Sequence, residues 1–292
     1  MAKPNLIYIG SPEFSAQILE HLLDTKIVNI VGVVTQPDKP QGRKQIVTPS
    51  PVAQIAADYD LPVFKPSKLD DANLSHLKLL RPDIFLVASY GKIIPQSWLD
   101  LPTIGTFNIH FSLIPKYRGA LCISEAIKNQ DKETGVTLMV MDSLLDHGPI
   151  IDQEKISIDI DDNTATLTTK LTRLAIQLLD NKLPEICAKT YFYKAQEEPQ
   201  ATFTPSHRSL TREAAFVSWE KLQHSMVENG AAVHALIRSL NPEPGAWTTI
   251  KNKEIKILKT SLVENQLRID QIQMSGKNPI SWKQFSSGYL NG

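Results

Sequence analysis

The chain has 292 residues, 42% of them hydrophobic and 21% charged, with 31 basic residues against 31 acidic ones. That length exceeds the roughly 100–200 residues of one ordinary domain, so two domains are expected. The charge balance argues against a generally sticky polycation and against a disordered acidic chain.

The first segment, "NLIYIG", is a short apolar run ending in Gly10, the pattern of a strand buried on both faces. A helix is expected at once, with Ser11 as its N-cap, Pro12 at its first position and Glu13 at its positive end. Phe14, Ile18, Leu19, Leu22 and Leu23 then recur at helical spacing. Next come a second buried strand in "IVNIVGVVTQP", a helix opening at "PSPVAQIAADYD", a short "LPVF", a helix over "ANLSHLKLL" and a strand in "DIFLVASYG". The alternation continues through "GTFNIHFSLIP", the helix "GALCISEAIKNQ", the strand "GVTLMVMD" and a long helix "NTATLTTKLTRLAIQLLDNKLPEIC". Strands that alternate with helices imply an α/β domain with a mainly parallel sheet.

Near residue 190 the periodicity stops. The prolines and mixed charge of "YKAQEEPQATFTPSHRS" predict a linker over 191–209, between a catalytic domain at 1–190 and a small β-rich domain at 210–292. In that tail "AAVHALIRSL" reads as a helix, "GAWTTIKNKEIKILKTSLV" as a hairpin turning at "KNKE", and "QLRIDQIQ" as a further strand. Residues 206–292 carry roughly four more Lys and Arg than Asp and Glu, which suits a polyanionic partner. Cys122 and Cys187 have neither disulfide-framework nor zinc spacing, and the N-terminal apolar run is too short for a signal segment or a membrane span. A cytoplasmic protein without a membrane partner is therefore expected.

The strand-to-helix turn "IGSPEF" has one glycine rather than G-x-G-x-x-G, and no acidic residue follows at the ribose-contact spacing, so dinucleotide binding is disfavoured. In open parallel sheets the carboxyl ends of strands face the ligand crevice, and Gly10, Thr35, Tyr90 and Asn108 fall at such ends. Residues two apart on a strand share a face, so Asn108 and His110 project side by side while Phe107 and Ile109 point the other way. Taken alone, such a polar pair at a strand end is more often a satisfied core pair or a loop anchor than a catalytic pair. About forty residues on, "MDSLLDHGPII" places Asp142 and Asp146 in a loop at another strand end, where a carboxylate can orient an imidazole or merely cap a turn. Asn108, His110 and Asp146 together suit a carbonyl whose oxygen becomes anionic as a nucleophile adds. His147 is a weaker candidate imidazole, because no paired donor stands beside it.

"FNIHFSLIPKYRGA", "DKETGVTLMVMD" and "LLDHG" resemble the signature of the 10-formyltetrahydrofolate-dependent formyltransferases, and "IYIGSPEFSAQILEHLL", "VVTQPDKPQGRKQIVTPSPV", "PDIFLVASYGKIIP", "IRSLNPEPGAWT" and "GKNPISWKQF" extend the likeness over nearly the whole chain. The resemblance implies a Rossmann-like catalytic domain followed by a small C-terminal β-barrel related to the OB-fold. It implies transfer of a formyl group from 10-formyltetrahydrofolate to the α-amino group of methionine on initiator tRNA. A monomer is expected, and no metal is expected because hydrogen bonds alone can activate an amide-like formyl carbon. Carried over by position, Asn108, His110 and Asp146 match the catalytic trio, and Ser112, Leu113, Ile114 and Pro115 match the folate-contacting segment with Tyr90 and Gly91 beside the pterin. Arg43 and Lys44 lie on a loop that matches an insertion gripping the tRNA acceptor stem. The chain departs from the usual pattern at Leu144 to Pro149 and at Leu121 to Ser124, while the trio is retained. The rival readings are a formyltransferase acting on an amino sugar nucleotide or another small amine, a hydrolase of the formyl-folate, and a non-catalytic RNA-binding protein.

Overall fold

The computed structural model describes residues 3–42 and 44–290. It comprises two compact units, each drawn from separated stretches of chain: Met1–Arg118, Gly135–Lys155 and Thr169–Phe203 in the first, and Gly119–Thr134, Ile156–Thr168 and Thr204–Gly292 in the second. Residues 191–203, expected to open a linker, group with the first unit.

The first nine strands are β1 (Asn5–Gly10), β2 (Asn29–Val34), β3 (Lys39–Gln41), β4 (Ile46–Thr48), β5 (Val63–Phe64), β6 (Ile84–Ala88), β7 (Gly105–His110), β8 (Glu133–Val140) and β9 (Ile150–Ser157). β3 and β4 form a separate hairpin, and the other seven make one sheet in the order β5-β2-β1-β6-β7-β8-β9. The pairs from β5 through β7 are parallel, with Tyr8 opposite Leu86 and Val87 opposite Asn108. This is the Rossmann-like arrangement. Leu6, Ile7, Tyr8 and Ile9 are all fully buried, because helices cover both faces of a parallel sheet and leave no solvent side for alternation. Helices α1 (Glu13–Thr25), α2 (Pro51–Asp58), α3 (Asp71–Lys78), α5 (Cys122–Lys128) and α6 (Thr164–Cys187) follow the expected chain order, and the short α4 (Gln96–Leu99) between β6 and β7 was not expected.

One local expectation is corrected. Ser11 does not cap α1: Pro12 occupies the N-cap position, and the Ser11 hydroxyl instead accepts hydrogen bonds from Thr35 Oγ1 and the Gln36 amide, both 3.2 Å away. The serine thus ties the end of β1 to the end of β2. Ser50 does cap its helix, accepting from the Ala53 amide at 3.1 Å. Gly10 closes β1 where a β-carbon would lie 2.0 Å from Ser15 Oγ and 2.8 Å from the Ala88 carbonyl, so a larger residue there would push α1 off the sheet. Strand β8 runs antiparallel to β7, with Phe107 opposite Val140 and His110 opposite Thr137, in a sheet that is mainly parallel as expected.

In the second unit, α7 (Trp219–Val227) and α8 (Gly230–Leu240) pack on an antiparallel sheet of β10 (Trp247–Ile250), β11 (Lys253–Val263), β12 (Gln266–Met274) and β13 (Ile280–Ser281). That sheet is the element of a small barrel domain. Its core joins Leu222, Val233, Ile237, Ile255, Ile257, Ile272 and Phe285. Lys251 and Asn252 both have positive φ, at 47° and 61°, which gives the hairpin the turn whose twist matches its strands. Helix α5 packs against α8 within the same unit. Among the described residues no helix is long and apolar enough to cross a membrane.

Candidate active site

Strand β7 delivers Asn108 and His110 to one face near its carboxyl end, and each is 7% exposed. The loop between β8 and β9, residues 141–149, brings the third group. Because β8 is antiparallel, this loop leaves the sheet beside Thr106, whose carbonyl accepts from the Met141 amide at 2.8 Å, and must travel back along β7 to reach the polar pair. It does so: Asn108 Nδ2 donates to Asp146 Oδ1 at 3.3 Å, and His110 Nδ1 lies 3.6 Å from Asp146 Oδ2. Asp146 adopts the left-handed conformation at φ 46°, an uncommon choice for a residue with a β-carbon and one that needs support from its surroundings.

His110 is held from its other side. Its Nε2 lies 3.0 Å from the Tyr117 carbonyl, and since a carbonyl can only accept, Nε2 carries the hydrogen. Nδ1 therefore faces the carboxylate, at a separation that is an electrostatic contact rather than a hydrogen bond and that ligand binding can shorten. His147, the weaker candidate, lies elsewhere in the loop, 2.6 Å from Asp142 Oδ2 and 3.3 Å from Glu198 Oε1.

The segment from Ser112 to Pro115 is fastened to the sheet by polar side chains. Thr137 Oγ1 donates to the Ser112 carbonyl at 2.6 Å, Gln153 Nε2 donates to the Ile114 carbonyl at 2.8 Å, and Ser112 Oγ donates to the Lys116 carbonyl at 2.7 Å. Ile114 is buried with Met139 and Ile150, while Leu113 and Pro115 remain partly exposed. Tyr90 is buried in the core formed with Ile7, Ile9, Val34 and Phe85, and its carbonyl accepts from Gln36 Nε2. Burial pushes its phenol up to about 12, and the hydroxyl has no hydrogen-bond partner among the described residues. A buried donor in that state calls for an acceptor from a ligand or water. Gly91 follows at φ 77°. Lys44 is exposed at the turn of the β3–β4 hairpin, next to exposed Ile46 and Val47, whereas Arg43 lies outside the described residues.

Sequence reasoning missed a further set of residues that line this region: Tyr117, Arg118, Gln196, Glu198 and Thr202. Arg118 is 2% exposed; its Nε and Nη2 donate to Gln196 Oε1 at 3.0 and 2.7 Å, and it pairs with Glu198 Oε1 at 2.5 Å. The hydrogen bond from Arg118 holds the Glu198 carboxyl below its usual range. A buried arginine in "KYRGA" and a glutamine in "KAQEEP" leave no periodic signal, so no pattern would have paired them.

A formyl transferase family model matches residues 4–183, and a model of the formyl transferase C-terminal domain matches residues 209–266. The chain is 41% identical over 260 residues to the methionyl-tRNA formyltransferase of Staphylococcus aureus strain Newman, which spans 89% of this chain and 80% of that relative. Among solved structures, a sugar 3N-formyl transferase in the presence of dTDP and 5-N-formyl-THF aligns with a TM-score of 0.67 at 19% identity, over 95% of this chain and 100% of that one. A 4-N formyltransferase from Francisella tularensis aligns with a TM-score of 0.67 at 16% identity, over 89% and 98%. At such identities the structural likeness shows the fold.

Proposed function

The chain belongs to the formyl transferase family, and from that membership we propose that it transfers the formyl group of 10-formyltetrahydrofolate to the α-amino group of methionine on initiator tRNA. The observation that supports the chemistry is the convergence of Asn108, His110 and Asp146 at distances of 3.3 and 3.6 Å in a nearly solvent-free position. The acceptor is argued from the 41% identity to a methionyl-tRNA formyltransferase, which far exceeds the 14–20% identities to sugar formyltransferases of solved structure.

The co-substrate supplies an activated one-carbon unit at the formyl level. The chain's own residues supply orientation and charge. Asn108 Nδ2 has two hydrogens and directs one to Asp146, so the second is available to the carbonyl oxygen on which negative charge grows. Asp146 and His110 Nδ1 form the pair that takes up the proton lost by the attacking amine and hands it to the departing nitrogen, while the Tyr117 carbonyl keeps the ring from turning. Ser112 to Pro115, with Tyr90 and Gly91, would hold the folate; the buried Tyr90 hydroxyl, without a partner among the described residues, fits such a role. Lys44 on its exposed hairpin and the basic excess of residues 206–292 suit a phosphate backbone. The test is formylation of methionyl-tRNA by the purified full-length chain with 10-formyltetrahydrofolate, beside an amino sugar nucleotide as competing acceptor. Formyl-methionyl-tRNA is the expected product, and formylation of the sugar alone would refute the reading.

A further inference from the structure

Residues 194–202 form a strap fastened at both ends. Lys194 exchanges both backbone hydrogen bonds with Ile150, at 2.8 and 2.9 Å. Thr202 donates its amide to the Pro115 carbonyl at 3.1 Å, accepts from the Arg118 amide at 2.8 Å and, through Oγ1, accepts from the Tyr117 amide at 2.8 Å. Gln196 stands between these ends with its hydrogen-bonding groups in use. Its Nε2 donates to the carbonyls of Asp146 (2.9 Å) and Gly148 (2.7 Å), and its Oε1 accepts twice from Arg118.

From this geometry we infer that Gln196 is a positioning residue for formyl transfer, because its single amide clasps the backbone of the loop that carries Asp146 and joins it, through Arg118 and Tyr117, to the segment that holds His110. Asp146 at φ 46° and Tyr117 at φ 63° are both in the left-handed region, where a residue with a β-carbon stays when its surroundings over-determine it. The strap provides that constraint on both sides of the 3.6 Å gap between His110 Nδ1 and Asp146 Oδ2. Glu198 adds a second clasp, pairing with Arg118 and approaching His147 on the same loop. The segment that reads as a linker is thus part of the active-site scaffold. The inference rests on the function proposed above, and its test is chosen to separate the two.

The experiment uses the full-length protein and Gln196→Glu, which keeps the side chain's size and an acceptor for Arg118 but sets an oxygen against two carbonyls in place of their donor. The readouts are single-turnover formyl transfer, KM for both substrates, thermal melting, and hydrogen exchange of residues 141–149. A loop displacement near 1 Å costs on the order of a hundredfold in rate, so a loss of about ten- to a hundredfold in kcat at little-changed folate KM is expected. Faster exchange across 141–149 should accompany it. In an Asp146→Ala background the further loss should fall below about threefold, because the group being positioned is gone. The same fold-loss in both backgrounds, or a wild-type rate in Gln196→Glu, overturns the inference. Gln196→Met, of similar length but without the amide, carries the same expectations if the carboxylate prevents folding. If the wild-type chain does not formylate methionyl-tRNA, the proposed function fails; the exchange measurement still decides the strap, and unchanged protection of 141–149 refutes it.

Discussion

Gly148→Ala offers a direct measure of how tightly the loop that carries Asp146 is built. Gly148 is buried, and a β-carbon there would sit 1.8 Å from the Val140 carbonyl oxygen and 2.9 Å from its carbon. Both are backbone atoms, so no side chain can rotate away. To bring that contact to 3.0 Å the loop and β8 must part by about 1.2 Å. The movement loosens the hydrogen bond from the Val140 amide to the Pro149 carbonyl (3.0 Å) and the one from Gln196 to the Gly148 carbonyl (2.7 Å). Overpacking costs about 1–3 kcal/mol and a net hydrogen bond about 1 kcal/mol, so a destabilisation of roughly 2–4 kcal/mol is expected. For a unit of this size class that corresponds to a fall in Tm of roughly 5–15 °C. Asp146 lies two residues away, and its displacement by about 1 Å should reduce the single-turnover rate about a hundredfold. Thermal melting and single-turnover formylation of the variant check both numbers. Gly288→Ala, where a β-carbon meets nothing within 4 Å, is the control and should leave melting and rate unchanged. A Gly148→Ala protein with normal melting and full rate would refute the idea that a rigid backbone contact places Asp146.

Asn108→Ala, His110→Ala and Asp146→Ala should each lower formyl transfer by about a hundredfold or more while the fold persists; single-turnover rates beside melting curves test this, and near-normal turnover would remove the residue from the mechanism. Lys44→Ala should weaken tRNA binding and make the slope of log affinity against log salt shallower by up to about one unit, with folate binding unaltered. His234 is enclosed between Thr260 Oγ1 (2.8 Å) and the Ile160 carbonyl (3.0 Å), and burial lowers its pKa below the ordinary 6.5. The unfolded chain therefore takes up a proton before the folded one does, so its contribution to stability is complete above about pH 6.5 and is lost as pH falls below it. Melting from pH 7.5 to 5 should show a steeper decline for wild type than for His234→Leu, and equal slopes would refute the assignment.

Much of the fold is legible in local pattern. The apolar runs of β1, β2, β6 and β7 are buried on both faces, the recurrence of Ile18, Leu19 and Leu22 marks the packed side of α1, and the strand period alone puts Asn108 and His110 side by side. "KNKE" announces a turn because Lys251 and Asn252 need only adopt positive φ for the flanking strands to pair. These features depend on residues a few positions apart, whose geometry the chain carries wherever it goes. The direction of β8, the use of Ser11 by Thr35 and Gln36, and the clasp of Gln196 on Asp146 depend on partners that are neighbours in space and not in sequence. A buried donor is satisfied by whichever acceptor the assembled sheet brings within about 3 Å. Periodicity does not encode that choice, so the segment after residue 190, poor in apolar spacing and rich in polar groups, is tied to the loop that carries Asp146 through hydrogen bonds that tertiary structure alone could assign.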